Sequence, residues 1–168
     1  MNTILNIKIA LSLVTMIAML SCEKPNVIED PDLVNSLYTN SNDTIKIGMS
    51  KYILETDLSR NLMPGGPIPT KRPLVALIFL VNTDSLPISS NINITKLYVI
   101  KNQLIWTSSP VDSNQPYVPD FKLDKVSNDG PEWEPDIHVN VVVEVVNNMT
   151  KDKYLLIVRD QIIIGNIK

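Results

Sequence analysis

The residues with the most chemistry to offer lie together in residues 128–136, which read NDGPEWEPD. This segment holds four carboxylates, at Asp129, Glu132, Glu134 and Asp136. Carboxylate oxygens are the hard ligands that calcium takes, but these four do not follow the spacing of the EF-hand loop. We therefore expect a solvated acidic loop and no metal site. The last three acids remain candidates for contact with a ligand or a partner.

Trp133 stands among these acids with a proline two positions to either side. An exposed indole would offer a stacking surface to a sugar ring or a protein partner, whereas an inward one would plug the open end of a sandwich. Proline fixes its own φ and restricts the residue before it, so the two prolines can hold the loop in an inward turn. We favour the plug and keep the stacking surface as the alternative.

Catalytic residues are scarce in this chain. His138 is its only histidine, and no G-x-S-x-G motif presents a serine nucleophile. A zinc site needs three or four His, Cys or carboxylate ligands, and the chain has one cysteine. The glycines at positions 65 and 66 lack the G-K-[ST] order of a phosphate-binding loop. We expect a protein that is not an enzyme and takes no cofactor.

Cys22 is the single cysteine, and it follows a segment that is typical of secretion signals. Lys8 precedes 12 uncharged residues that run from Ile9 to Leu20. This is the length of a signal-peptide core, whereas a membrane-spanning helix needs about 20 apolar residues. A lone thiol in an exported protein has no disulfide partner in its own chain. The sequence predicts residues 1–21 as a signal peptide.

The tetrapeptide Met19-Leu20-Ser21-Cys22 resembles the lipobox of bacterial lipoproteins, which has an apolar residue at −3, a small residue at −1 and an obligatory cysteine. The resemblance implies a diacylglyceryl group on the thiol of Cys22, cleavage just before it, and acylation of the new N-terminus, for example with palmitate. Two or three acyl chains hold a protein firmly at a membrane. The expected location is the cell envelope, on the periplasmic or surface face of the outer membrane.

Residues 22–43 are predicted to form the lipidated N-terminus and a polar tether. They contain Pro25, Pro31 and several acids and asparagines, a composition that favours extended, solvated chain. Four apolar residues interrupt it, and these leave open a short helical turn or docking onto the domain: Leu33, Val34, Leu37 and Tyr38.

The rest of the chain has the composition of a β-rich globular domain. The whole chain has 168 residues, a length that allows one domain, and 44% of them are apolar, which is close to the average for globular proteins. The frequent Ile and Val favour strands. The net charge is −3, and Lys and Arg are not clustered. Nucleic-acid binding needs a basic patch, so we do not expect it.

Alternation of apolar and polar residues predicts strands and two hairpins. Ile137 to Val146 alternates, and folding residues 147–152 as the link of a hairpin gives these pairs: Val145 with Tyr154, Val143 with Leu156, and Val141 with Val158. With Lys101-Asn102 as a tight turn, a second hairpin would pair Val99 with Leu104 and Leu97 with Trp106. This faces Trp106 inward, as a core residue.

About seven strands are predicted over residues 44–168, with Leu74 to Val81 as a central one. Short strands separated by regular turns favour an all-β fold, an antiparallel immunoglobulin-like β-sandwich. The Ile-Trp hairpin, the G-P-x-W-x-P segment and the valine-rich strand resemble small Bacteroidota lipoproteins with an Ig-like domain, over about residues 70–168. This resemblance implies no activity.

Thr44 and Ser85 follow aspartates and precede apolar residues, a pattern that resembles the O-glycosylation acceptor of Bacteroidota. Thr44 ends the tether just before the first predicted strand, and Ser85 begins the loop after the central strand, so both hydroxyls are expected to be exposed, as a bulky sugar requires. Together, these features predict a membrane-anchored envelope lipoprotein that carries a non-enzymatic binding or scaffolding module for a protein or glycan. The alternative is an inhibitor or accessory subunit of an envelope hydrolase, which would insert a loop such as 108–120 into its partner.

Overall fold

The computed structural model describes residues 25–62 and 72–166, and within them alternating Ile and Val residues form strands. The elements are β1 (Val27–Glu29), α1 (Pro31–Asn40), β2 (Ser41–Asn42), β3 (Ile45–Ile47), β4 (Ser50–Asn61), β5 (Val75–Asn82), β6 (Ile92–Lys101), β7 (Leu104–Ser108), β8 (Val111–Asp112), β9 (Lys122–Ser127), β10 (His138–Asn147) and β11 (Lys153–Asn166). The described residues hold eleven strands, more than the seven or so predicted, and β4 was not among the predicted ones. β5 lies between two neighbours, as expected for a central strand.

The strands form one curled sheet in the order β1-β7-β6-β10-β11-β4-β5-β9-β8. The first part of β11 pairs with β10, and its residues 163–166 pair with β4, so β11 joins two layers of a sandwich. The predicted all-β, sandwich-like class is confirmed. The sheet is mixed rather than wholly antiparallel, because β11 runs parallel to both β2 and β4. Parallel neighbours need a long crossover, which the intervening strands supply.

The register was predicted correctly for one of the two hairpins and incorrectly for the other. The three β10–β11 pairs occur as predicted. In the β6–β7 hairpin, however, Val99 pairs with Trp106 and Lys101 with Leu104, so the predicted register is wrong. Asn102 has φ 56° and begins the turn, which is centred one residue later than predicted. The pairing moves by two residues, and Trp106 therefore still faces inward.

The main core lies between the two layers and is built from inward-facing aliphatic residues of both. Trp106 is fully buried there, in agreement with the prediction. Its largest buried neighbours in this cluster are Leu58, Leu74, Ile78, Leu80, Ile94, Leu97, Leu156 and Ile163.

We call the layer formed by β1, β7, β6, β10 and the first part of β11 the first layer. A second apolar cluster lies on its outer face, beneath α1. Val34 and Leu37 of the helix pack there with Val142 and Ile157 of the sheet. The helix begins with Pro31 after the N-cap Asp30, whose Oδ1 accepts a hydrogen bond of 2.8 Å from the Leu33 amide.

This helix lies within residues 22–43, which we predicted as a tether, and residues 27–42 are instead packed on the domain. Docking was the alternative that the sequence left open. The physical reason is the outer face of the first layer, where apolar Val142 and Ile157 would otherwise face water.

Candidate functional site

The acidic loop lies over one end of the sandwich. We call this the sealed end and define it by Leu74, Gly130 and Trp133. The Gly130 amide donates to the Leu74 carbonyl at 3.1 Å. A Cβ at Gly130 would lie 2.6 Å from that carbonyl oxygen and 2.9 Å from Cη2 of Trp106, so only glycine allows this approach. Trp133 is partly buried and packs against the main core, with the Nζ of Lys101 5.7 Å from its ring centroid. This is the plug arrangement that we favoured.

Arg60 fastens this loop to β4. Its side chain is only 7% exposed. Its Nε donates to the Arg72 carbonyl at 2.9 Å, and its Nη1 donates to the Trp133 carbonyl at 2.7 Å. Glu132 lies 4.0 Å from the guanidinium. The planar guanidinium of an arginine can donate to two acceptors at once, so Arg60 links strand β4 to the loop through two hydrogen bonds.

Sequence reasoning missed Arg60, although a signal was present. Tyr52, Leu54 and Leu58 are buried on alternate positions of β4, and Arg60 continues the same phase. A charge on an inward-facing position implies fixed partners, because an unpaired buried charge is costly.

The other acids of the loop are exposed and do not converge. Glu134 and Asp136 face solvent, and the Asp136 backbone, at φ 60°, donates to the Ile163 carbonyl at 2.8 Å. No group of three or more His, Cys, Asp or Glu side chains in residues 25–62 and 72–166 is placed to hold a metal ion. His138 Nδ1 lies 2.6 Å from Oδ1 of Asp160, and both side chains are exposed on the sheet surface.

A cleft of about 460 Å³ opens between α1 and the first layer, and we call it the α1 cleft. No sequence pattern pointed to it, because it exists only once α1 docks. Its lining is Leu33, Ser36, Leu37, Asn40, Asn42, Ile45, Tyr98, Glu144, Lys153, Tyr154 and Leu155. Aromatic rings, amide side chains and one pair of opposite charges therefore share a concave surface, which is the composition of a small-ligand or peptide-side-chain site.

Glu144 is the charged centre of the α1 cleft. Burial alone would raise its pKa, but the pKa is lowered overall by hydrogen bonds from Thr95 Oγ1 at 2.6 Å and Lys153 Nζ at 3.2 Å, and by the charges of Lys153 and Lys96. Burial and the negative charge of Glu144 raise the pKa of Tyr98, against the opposing charge of Lys153. At neutral pH the cleft therefore presents an ionised carboxylate beside a neutral phenol.

Of the remaining predicted site residues, Thr44 lies beside the α1 cleft, between its lining residues Asn42 and Ile45, whereas Ser85 lies on a separate turn. Thr44 lies between β2 and β3 and is exposed. Ser85 is exposed at φ 56° in the turn after β5, where its amide donates to the Asn82 carbonyl at 3.1 Å. Both hydroxyl positions have the exposure that a bulky sugar requires. Cys22, the signal peptide and the glycines at 65 and 66 lie outside the described residues.

No family model, curated protein or solved structure matches this chain. Within the described residues, no helix has the length and apolar content needed to cross a membrane.

Proposed function

We propose that this chain is a lipid-anchored protein of the bacterial cell envelope whose β-sandwich is a non-enzymatic binding or scaffolding module. The observation that carries the proposal is Cys22, the single cysteine, placed directly after an apolar segment and Ser21. The ordered fold is consistent with it, since β1 begins at Val27, only five positions after this cysteine. The outer membrane is the expected site, and its partner is a protein or a glycan.

The deciding experiment is metabolic labelling with a palmitate analogue in the native host. The parent chain should take up label and sediment with membranes, whereas Cys22→Ala should do neither. Ser109→Ala, an exposed substitution far along the chain, is the matched control and should behave as the parent does. Label retained by Cys22→Ala would overturn the proposal.

The α1 cleft is the binding site that we propose for this module. Ionised Glu144 and Lys153 can bind the polar groups of a peptide or sugar, and Tyr98 and Tyr154 add aromatic surface. Glu144→Gln retains the shape of the side chain and removes its charge. It should weaken capture of the partner from solubilised membranes, whereas Glu134→Gln, an exposed acid of the sealed end, should not. Equal capture by both variants would place binding elsewhere.

A second candidate function is an inhibitor or accessory subunit of an envelope hydrolase. It is favoured by loop 108–120, where Val111 is 62% and Tyr117 is 99% exposed. Pull-down from native membranes separates the two candidates. An inhibitor should recover one hydrolase and lose it with Tyr117→Ser, while a scaffold should recover several envelope proteins regardless of that change.

We infer an immunoglobulin-like topology as the finer description of the sandwich. Its support is the strand order β4-β5-β9-β8 in one layer and β7-β6-β10-β11 in the other, which parallels the ABED and C′CFG sheets of that fold.

We also propose O-glycosylation at Thr44 and Ser85, whose exposure favours it. The intact mass of the protein from its host tests this, since a mass of peptide plus lipid alone would contradict it.

A further inference from the structure

Four turns meet at the end of the sandwich opposite the sealed end, and we call this the turn end. They are residues 48–49, 83–91, 113–121 and 148–152. Strand pairing brings them together, because Tyr52 pairs with Asn82, Val81 with Lys122, and Ile92 with Asn147.

Backbone hydrogen bonds brace these turns against one another. The Thr83 amide donates to the Lys51 carbonyl at 3.0 Å, the Ile88 amide to the Asp120 carbonyl at 2.9 Å, and the Asn148 amide to the Asn91 carbonyl at 2.7 Å. The turns therefore form one connected platform rather than four independent loops.

This platform carries the three most exposed large hydrophobic side chains of the described residues. Tyr117 is 99%, Met49 95% and Met149 76% exposed, and Leu86 adds a fourth at 56%. Each stands on a different turn. They take no part in the core, so their apolar surface is available to something outside the domain. The charges near these turns are mixed, since Lys51 and Lys151 share this end with three aspartates, Asp84, Asp120 and Asp152, which leaves a small negative excess.

The chain that leads to Cys22 leaves the domain beside β7. The Asn26 carbonyl accepts a hydrogen bond from Thr107, which pairs with Tyr98 near the middle of the first layer. Three residues lie between Cys22 and Asn26, so four chain steps limit the Cα of Cys22 to about 14 Å from that point. The turn end, at Ile92, is six strand residues away, or roughly 20 Å. A fully extended chain would therefore end about 6 Å short of the level of Ile92, and the thioether and glyceryl groups of the lipid would have to span that gap. A tether this short allows the turn end to touch the membrane only when it is extended toward that end.

We propose that the turn end lies on the lipid bilayer that holds Cys22, with its four exposed apolar side chains at headgroup depth. This rests on the proposed lipidation. Tyrosine is favoured at that depth, and the other three side chains bury apolar surface there. Since this end has no excess of positive charge, contact depends on apolar insertion and does not require anionic lipid.

The test places an environment-sensitive fluorophore on introduced cysteines in the full lipidated protein, whose own Cys22 thiol is blocked. The variants are Met49→Cys, Tyr117→Cys and Met149→Cys, with Ile162→Cys as the control, since Ile162 is 48% exposed and pairs with His138 at the sealed end. In vesicles of phosphatidylethanolamine and phosphatidylglycerol, the three turn-end probes should shift to the blue and lose quenching by aqueous iodide. The control probe should stay fully quenched.

The outcomes separate this inference from the lipidation on which it rests. Protein that stays in solution, with Cys22 open to maleimide, contradicts the lipidation itself. Protein that binds vesicles while its turn-end probes remain quenched overturns the bilayer contact and leaves the anchor standing. Probes that are quenched on vesicles but shielded in native membranes overturn it as well, and assign the turn end to a protein partner. Blue shifts on purely phosphatidylcholine vesicles would support the apolar mode.

Discussion

The two ends of the sandwich handle their notable side chains in opposite ways. At the sealed end, Trp133 packs on the core and the buried Arg60 binds two backbone carbonyls. At the turn end, backbone hydrogen bonds join the turns, but Tyr117 and the two methionines project into solvent. An aromatic ring among acids looks more like a binding site in sequence than two methionines in turns do. In the structure, however, the tryptophan packs on the core and the methionines are exposed, so the methionines are the better candidates for contact with a partner.

The difference shows that residue type alone is a poor guide to function here. The acidic loop with its tryptophan has the composition of a ligand site, yet its amides, its ring and its carbonyl are used to close the fold. The turns have ordinary compositions, yet they leave apolar surface without an intramolecular use. Substitutions at the two ends should therefore separate stability from surface function.

The largest effect is expected at Trp106, whose ring touches the sealed end through Gly130. Trp106→Ala removes a fully buried side chain and should lower the free energy of unfolding by about 3–5 kcal/mol. Trp106→Phe should cost much less, because the indole Nε1 is buried without a hydrogen-bond partner among the described residues. Urea unfolding followed by circular dichroism measures both, and equal losses would contradict this account.

Substitution of Arg60 tests how much its two hydrogen bonds at the sealed end contribute to the stability of the fold. Arg60→Ala removes the donor from two carbonyls and should cost about 2 kcal/mol, at roughly 1 kcal/mol for each hydrogen bond. Arg159→Ala is the matched control, because Arg159 makes an exposed ion pair with Asp43, and such pairs contribute under about 1 kcal/mol. Chemical unfolding decides, and equal effects of the two variants would mean that Arg60 is not a fastening.

Much of the sandwich follows from local pattern, although β4 was missed, whereas what covers the sandwich does not. The β10–β11 register follows from alternation, because a one-residue slip would turn every valine outward. The β6–β7 register was missed because Lys101-Asn102 and Asn102-Gln103 are both acceptable turns without glycine. The α1 cleft required the helix, which Asp30-Pro31 and apolar Val142 on the outer face signalled only in combination. The alternation of β4 places Arg60 on an inward-facing position. Its partners could not be predicted, because they are backbone carbonyls, which any residue type can supply.

Substitutions in the α1 cleft should have an intermediate effect on the free energy of unfolding, and this effect should come from charge rather than from packing. The pKa of Glu144 is lowered in the folded chain, so its stabilising contribution is present above its ordinary value of 4.5 and is lost as the pH falls through the folded pKa. Glu144→Gln should therefore be less stable than the parent at neutral pH, and the difference should shrink on acidification. Thr95→Val, which removes the hydroxyl donor to Glu144, should show part of the same convergence. Unfolding curves from pH 7 to about pH 3 measure it, and a constant difference would contradict the assignment.

The smallest effect on stability is expected at the turn end. Met49→Ser, Tyr117→Ser and Met149→Ser remove side chains that are at least 76% exposed, so each should change the free energy of unfolding by no more than about 0.5 kcal/mol. Their sum should stay small as well, since each stands on a separate turn and independent sites add. Trp133→Ser is the matched change at the sealed end and should cost clearly more, because its ring packs on the core. A triple variant as stable as the parent would leave outside contact as the use of these side chains. A loss of several kcal/mol would instead make them part of the platform's own packing, and the contrast between the two ends would fail.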